Sequence, residues 1–225
     1  MAKLTGPHTD IRLKGHRTLF TALIALLLLD PLLHTLPALR WLVALVLVGL
    51  VLAAVRTVSA RGFPFHAAAG LATIALIAQV TLLLVGSEWL ELVRYLSYAA
   101  FLVLVIGLLL RDIVVRSSEV TFELILGAIN VYLMAGVAFS FAHATLEWLQ
   151  PGAYGGMEAA VGTADQLLPF TYFSFVTLTT LGYGDITPVN PMAATLSTLE
   201  AIFGQLYLAV LVARLVGLYV ARSRA

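Results

Sequence analysis

The sequence predicts an all-α integral membrane protein: six transmembrane helices, with a seventh, shorter helix re-entering between the fifth and the sixth. Three observations carry that fold class. The 225-residue chain is 61% hydrophobic and 11% charged, with a mean hydropathy of +0.99, a composition outside the range of soluble domains. A bilayer core about 30 Å thick asks for about 20 apolar residues per helix. Runs of that order fall at 18–36, 38–55, 67–86, 92–110, 120–147 and 193–220. A further apolar stretch at 166–179 is too short to cross, which makes it re-entrant.

The elements follow in order. Residues 1–17 are a basic amino terminus before the first span. A signal peptide is the rival reading of 1–36, but Asp30 and Pro31 follow the apolar run without a small-x-small cleavage site. Pro37 opens the second span, and the loop Arg56–His66, with Arg61, Gly62, Phe63 and Pro64, turns into the third. The four spans within 18–110 form a peripheral domain. Residues 111–122, RDIVVRSSEVTF, are amphipathic enough to lie along the membrane face, with a plain loop as the alternative. Residues 123–220 hold the last two spans and the short helix between them, and 221–225 form a tail too short for a sensing domain. Lys3, Arg12, Lys14, Arg17, Arg56, Arg61, Arg111, Arg116, Arg214, Arg222 and Arg224 share one side, against Arg40 and Arg94 on the other. The positive-inside bias then puts both termini in the cytoplasm, and Glu88, Glu91, Glu147, Glu158, Asp165 and Asp185 outside.

Several function classes drop out. Without cysteine there are no disulfides, haem attachments or thiolate metal sites. A formal net charge of +1, with basic residues dispersed at helix ends, gives no nucleic-acid footprint. No nucleophile–base or metal constellation suggests an enzyme. His8, His16, His34, His66 and His143 lack metal-ligand spacing and read as bystanders.

Residues 171–188 read TYFSFVTLTTLGYGDITP, and Thr177 to Asp185 fit T-x-x-T-x-G-Y-G-D at every fixed position. On that motif, the helix before it and the long apolar helix after it, residues 119–221 resemble a subunit of a potassium channel. The resemblance implies a homotetrameric pore in the lipid bilayer, one selectivity-filter loop per subunit, with K+ as permeant ligand and no other cofactor. K+ would be held by carbonyls of Thr180, Leu181, Gly182 and Tyr183, with the Thr180 hydroxyl at the inner end. Gly182 and Gly184 would supply unusual backbone angles without a Cβ penalty. Tyr183 would turn its ring away from the ions onto the pore helix. Thr177, Tyr172, Phe173 and Asp185 would support the filter. Tyr172 and Phe173 stand where many relatives carry paired tryptophans. The Tyr172 hydroxyl could reach Asp185, whereas Phe173 has nothing to donate to Tyr183. Leu181 replaces the usual valine or isoleucine. Val176 replaces a glutamate found in some members, so Asp185 should be ionised. Fewer tethers behind the filter imply slow, filter-based inactivation.

In the sixth span, Gly204 falls at the family's hinge glycine, with close helix packing as an equal alternative. Turn-by-turn steps from it give Leu208 and Val212 as an apolar gate ring. Glu200 is an intramembrane carboxylate, a gate candidate by default, though bonding to pore-helix hydroxyls is the favoured role. Arg214 is expected to snorkel at the cytoplasmic end. The run from Leu92 to Leu110 contains Arg94 alone, not the arginine array of a voltage sensor, so strong voltage gating is not expected. Asp30 and Arg94 could pair across outer helix ends, with two separate snorkelling groups as the favoured alternative. The reading is a potassium-selective channel of a prokaryotic plasma membrane. A non-conducting or regulatory subunit and a less selective monovalent cation channel stay as alternatives. A transporter with channel-like loops is disfavoured, because the chain offers a single loop carrying both glycines.

Overall fold

The structure, a computed structural model, describes residues 7–34, 40–57, 63–85, 87–116, 120–157 and 167–223. Pro37, Arg61, Gly62, Glu158 and Asp165 lie outside the described residues, as does the side chain of Asp30.

Seven helices account for nearly all of it: α1 (Pro7–His34), α2 (Arg40–Thr57), α3 (Phe63–Val85), α4 (Glu88–Arg116), α5 (Phe122–Leu149), α6 (Leu167–Leu178) and α7 (Pro191–Ser223). Among the described residues, four helices contain stretches long and apolar enough to cross a membrane: Phe65–Leu82, Trp89–Val114, Phe122–Leu149 and Pro191–Leu218. Shorter apolar segments are Gly15–Leu29, Leu45–Val55 and Leu167–Leu178.

Several helix ends have legible causes. Pro191 occupies the first helical position of α7, where a missing amide hydrogen costs nothing. The Asn190 side chain accepts from the Ala193 amide at 2.8 Å, capping α7. Thr121 does the same for α5, its hydroxyl accepting from Leu124 N at 3.2 Å. Two boundaries differ from expectation. The basic segment before residue 18 is helical from Pro7 onward. The segment 111–122 is not one linker, because α4 continues through Arg111 to Arg116. No glycine or proline interrupts it there, and its last carbonyls find a partner in Arg214.

The peripheral helices pack in sequence, α1 on α2 and α3 on α4, and are joined to the rest where α4 and α1 lie against α5. The α4–α5 seam is aromatic: the Tyr98 ring stacks on Phe141 at 5.0 Å and 8°. The α1–α5 seam has a polar fastening, Asn130 Nδ2 donating to the His16 carbonyl at 2.9 Å. In a bilayer such seams hold by close packing and interhelical hydrogen bonds rather than by hydrophobic expulsion. α5 is accordingly the hub, with α6 and α7 on another of its sides. Gly136 lets α6 approach: a Cβ there would meet the Phe175 ring at 2.6 Å. α7 is tied to α5 by the Tyr207 hydroxyl, which donates to Ala128 O at 2.7 Å. Most of its remaining surface is uncovered, with Leu206 60% and Val210 65% exposed.

Candidate functional site

The site begins where α6 runs out. Thr180 N donates to Thr177 O at 2.9 Å, and the amides of Leu181 and Gly182 both donate to Val176 O, at 2.9 and 3.2 Å. The chain leaving α6 is thus held under the helix's own last turn. From there the backbone alternates: φ is +59° at Thr180, +58° at Gly182 and +77° at Gly184, with Leu181 and Tyr183 on the ordinary negative side. Alternating hand along a chain turns successive carbonyls toward one edge instead of opposite edges. Gly182 and Gly184 take this conformation freely. Thr180, β-branched, does so under strain of order 1–3 kcal/mol, and its residue type gives no sign of it. The Thr180 hydroxyl accepts from Gln205 Nε2 at 3.3 Å, bringing in an α7 residue that no motif singled out.

At the other end, the Tyr172 hydroxyl donates to Asp185 Oδ2 at 2.6 Å, and the Ile186 amide donates to Oδ1 at 3.1 Å. The Tyr172 bond is the main cause holding the exposed Asp185 carboxyl below its ordinary pKa. The Tyr183 ring stacks on Tyr172 at 6.5 Å and 7°, so it lies toward α6. The return strand is anchored by a short antiparallel pairing of β1 (Tyr154–Gly155) with β2 (Thr187–Pro188), Tyr154 opposite Pro188 and Gly155 opposite Thr187. Gly156, at φ +83°, has no room for a side chain, since a Cβ would fall 1.8 Å from Asp185 O.

Phe173 lies elsewhere than behind Tyr183. It is buried, edge-on to His143 at 5.0 Å and to Tyr154 at 5.4 Å. His143 is no bystander: it is 0% exposed, with Tyr154 Oη on one ring nitrogen and Glu200 Oε2 on the other. Glu200 Oε1 also meets the Ser174 hydroxyl of α6 at 2.5 Å. A buried histidine next to a carboxylate on another helix leaves no periodic trace in sequence, so the sequence does not single out His143 as a partner of Glu200.

On α7, a Cβ at Gly204 would sit 2.1 Å from Leu178 O, so the bare backbone is what allows α7 to touch the end of α6. Leu208 and Val212 are exposed, at 41% and 57%. Arg214 does not extend freely outward: its Nη2 donates to the carbonyls of Ile113 and Val114, both at 2.8 Å. Arg94 is buried, its guanidinium 4.7 Å from the Tyr95 ring centre.

Residues 131–221, from within α5 to near the end of α7, match the family model described as "Ion channel". Over 104 residues the chain is 34% identical to an inward rectifier potassium channel, Kirbac3.1, of Paramagnetospirillum magnetotacticum. That match covers 44% of this chain and 30% of the length of the relative. No solved structure matches the chain. The matched segment carries the T-x-x-T-x-G-Y-G-D loop and the alternating backbone. The chain is thus similar to the ion-channel family model over its last two long helices, and spans about a third of the length of the potassium channel that it matches.

Proposed function

We propose that the chain is one subunit of a homotetrameric, potassium-selective channel. The observation that carries this is the alternation of backbone hand at Thr180, Gly182 and Gly184, inside a loop that fits T-x-x-T-x-G-Y-G-D. An edge of converging carbonyls is suited to a dehydrated monovalent cation, and a single strand gives too few oxygens, so several copies must meet around an axis. Exposure fits that arrangement, since Leu181 is 56% and Tyr183 67% exposed in the lone chain while α7 offers Leu199, Ile202 and Leu206 uncovered.

In this reading the K+ ligands are the carbonyls of Thr180, Leu181, Gly182 and Tyr183, with Gly184 completing the turn of the strand. Thr177, Tyr172 and Asp185 support the loop, and Phe173 supports it indirectly by filling the space between α6 and His143. α1 to α5 and α7 supply six spans, with α6 re-entrant and both termini cytoplasmic in a prokaryotic plasma membrane. Leu208 and Val212 line the lower pore, where an apolar ring closes by dewetting. α1 to α4 form a peripheral scaffold without a charge array.

Purified protein in liposomes tests the reading, with potassium and sodium fluxes compared beside a Gly182→Asp variant. The expected result is potassium flux well above sodium, lost in the variant. Equal fluxes of the two ions, or no flux from an assembled tetramer, would sink it.

A further inference from the structure

Behind α6 runs a continuous buried chain of polar groups. Tyr154 Oη lies 2.5 Å from His143 Nδ1, and His143 Nε2 lies 2.8 Å from Glu200 Oε2. Glu200 Oε1 lies 2.5 Å from Ser174 Oγ, which lies 2.7 Å from the carbonyl oxygen of Gly136. His143, Ser174 and Glu200 are 0% exposed and Tyr154 is 4% exposed. The chain links β1, α5, α7 and α6 in turn.

Counting hydrogens decides how this chain is protonated. The Ser174 hydroxyl has one hydrogen and two oxygens within bonding distance, Gly136 O and Glu200 Oε1. An ionised Glu200 brings no hydrogen, so one of these contacts would set lone pair against lone pair. With a histidinium as counter-ion, Nδ1–H would take the Tyr154 oxygen, leaving the Tyr154 hydrogen without an acceptor in the chain. A neutral Glu200 with its hydrogen on Oε1 removes both conflicts. Tyr154 donates to Nδ1, Nε2–H donates to Oε2, Oε1–H donates to Ser174, and Ser174 donates to Gly136 O. Every contact then has its hydrogen and no charge is buried, which avoids a desolvation penalty of roughly several kcal/mol per ion. Burial raises the pKa of the Tyr154 hydroxyl, so it keeps its hydrogen.

The other titratable groups nearby are accounted for. From α5, Tyr132 faces Glu200 but spends its hydroxyl on Leu178 O, and from α7 the Tyr207 hydroxyl goes to Ala128 O. Glu147, at the end of α5, accepts from the amides of Gly152 and Tyr154. On α6 the one titratable side chain, Tyr172, is bonded to Asp185.

We propose that Glu200 is a proton-operated positioning residue. While it carries a proton it fastens α6 to α5 and α7 at once, and loss of that proton at alkaline pH leaves Ser174 able to hold only one of them, loosening the helix that bears the filter. The protonation stands on its own geometry, and its effect on conduction rests on the channel reading above.

Glu200→Gln separates the cases, because its amide donates to Ser174 and its carbonyl accepts from His143 Nε2–H, as the neutral acid does, with no proton to lose. Infrared spectroscopy of the purified wild type at neutral pH should show the C=O band of a buried carboxylic acid, absent in E200Q and fading on alkaline titration. In liposomes the wild type should lose most of its potassium flux over the same rise in pH, while E200Q folds, conducts and stays flat. No carboxylic acid band at neutral pH, or an E200Q variant as damaged as Glu200→Ala, would mean a buried ion pair and overturn the proposal. A flat wild-type pH profile would overturn the regulatory half. A silent wild type would count against the channel reading, while the band would still decide the protonation of Glu200.

Discussion

One absent methyl group sets the distance between two helices. At Gly204 an added Cβ would stand 2.1 Å from Leu178 O, a backbone atom at the end of α6 that no rotamer change can move aside. Gly204→Ala should therefore cost about 1–3 kcal/mol, in the range of overpacked cores, seen as a lower Tm of the purified protein. The Tyr172–Asp185 bond makes a prediction with a sign. The Asp185 carboxyl is held below its ordinary value chiefly by the Tyr172 hydroxyl. The stability it adds is thus present above the unfolded carboxylate's pKa and disappears as pH falls through the lower folded value. Tyr172→Phe should be less stable than the wild type at neutral pH, with the gap closing in acid, as unfolding followed against pH would show. Residue by residue, the sequence is readable where chemistry is local: Gly182 and Gly184 take positive φ, and the Tyr172 hydroxyl reaches Asp185. It is not readable where tertiary packing decides. Nothing about threonine announces a left-handed conformation at Thr180, and nothing near His143 in sequence points to Glu200, a partner on a different helix.

Among the elements, the helices are legible because apolar runs of bilayer length are long, strong signals, and each of the seven expected apolar segments overlaps a single observed helix. Their ends are less so. α4 outlasts its apolar stretch because the carbonyls of its final turn are met by α7. Arg214 Nη2 donates to both Ile113 O and Val114 O, filling the role that water or a capping glycine plays at other helix ends. Hydrogen bonds from a charged donor contribute about 1.5–3 kcal/mol each. Arg214→Leu should therefore fray the end of α4 while leaving α5 and α6 intact. Hydrogen exchange is the direct check: amides near 110–116 should exchange faster in the variant, and unchanged protection there would show that α4 holds its own end.

For the whole molecule, α1 to α4 bear on whether the proposed channel would respond to voltage. Moving one elementary charge through the full membrane field yields about 2.3 kcal/mol per 100 mV, and the apolar length of α4 offers Arg94 alone, buried against Tyr95. Currents from the reconstituted protein should vary only weakly with voltage, and a steep activation curve would show that charges elsewhere in the chain move. The pairing of β1 with β2 has a consequence at this scale too. The strand from Thr180 to Gly184 is secured by α6 at its start, and at its finish by β2 paired with β1, which follows α5. Like a string fixed at both ends, it can twist in place but cannot lengthen, so any change of state within it must come from individual peptide planes rotating where they stand.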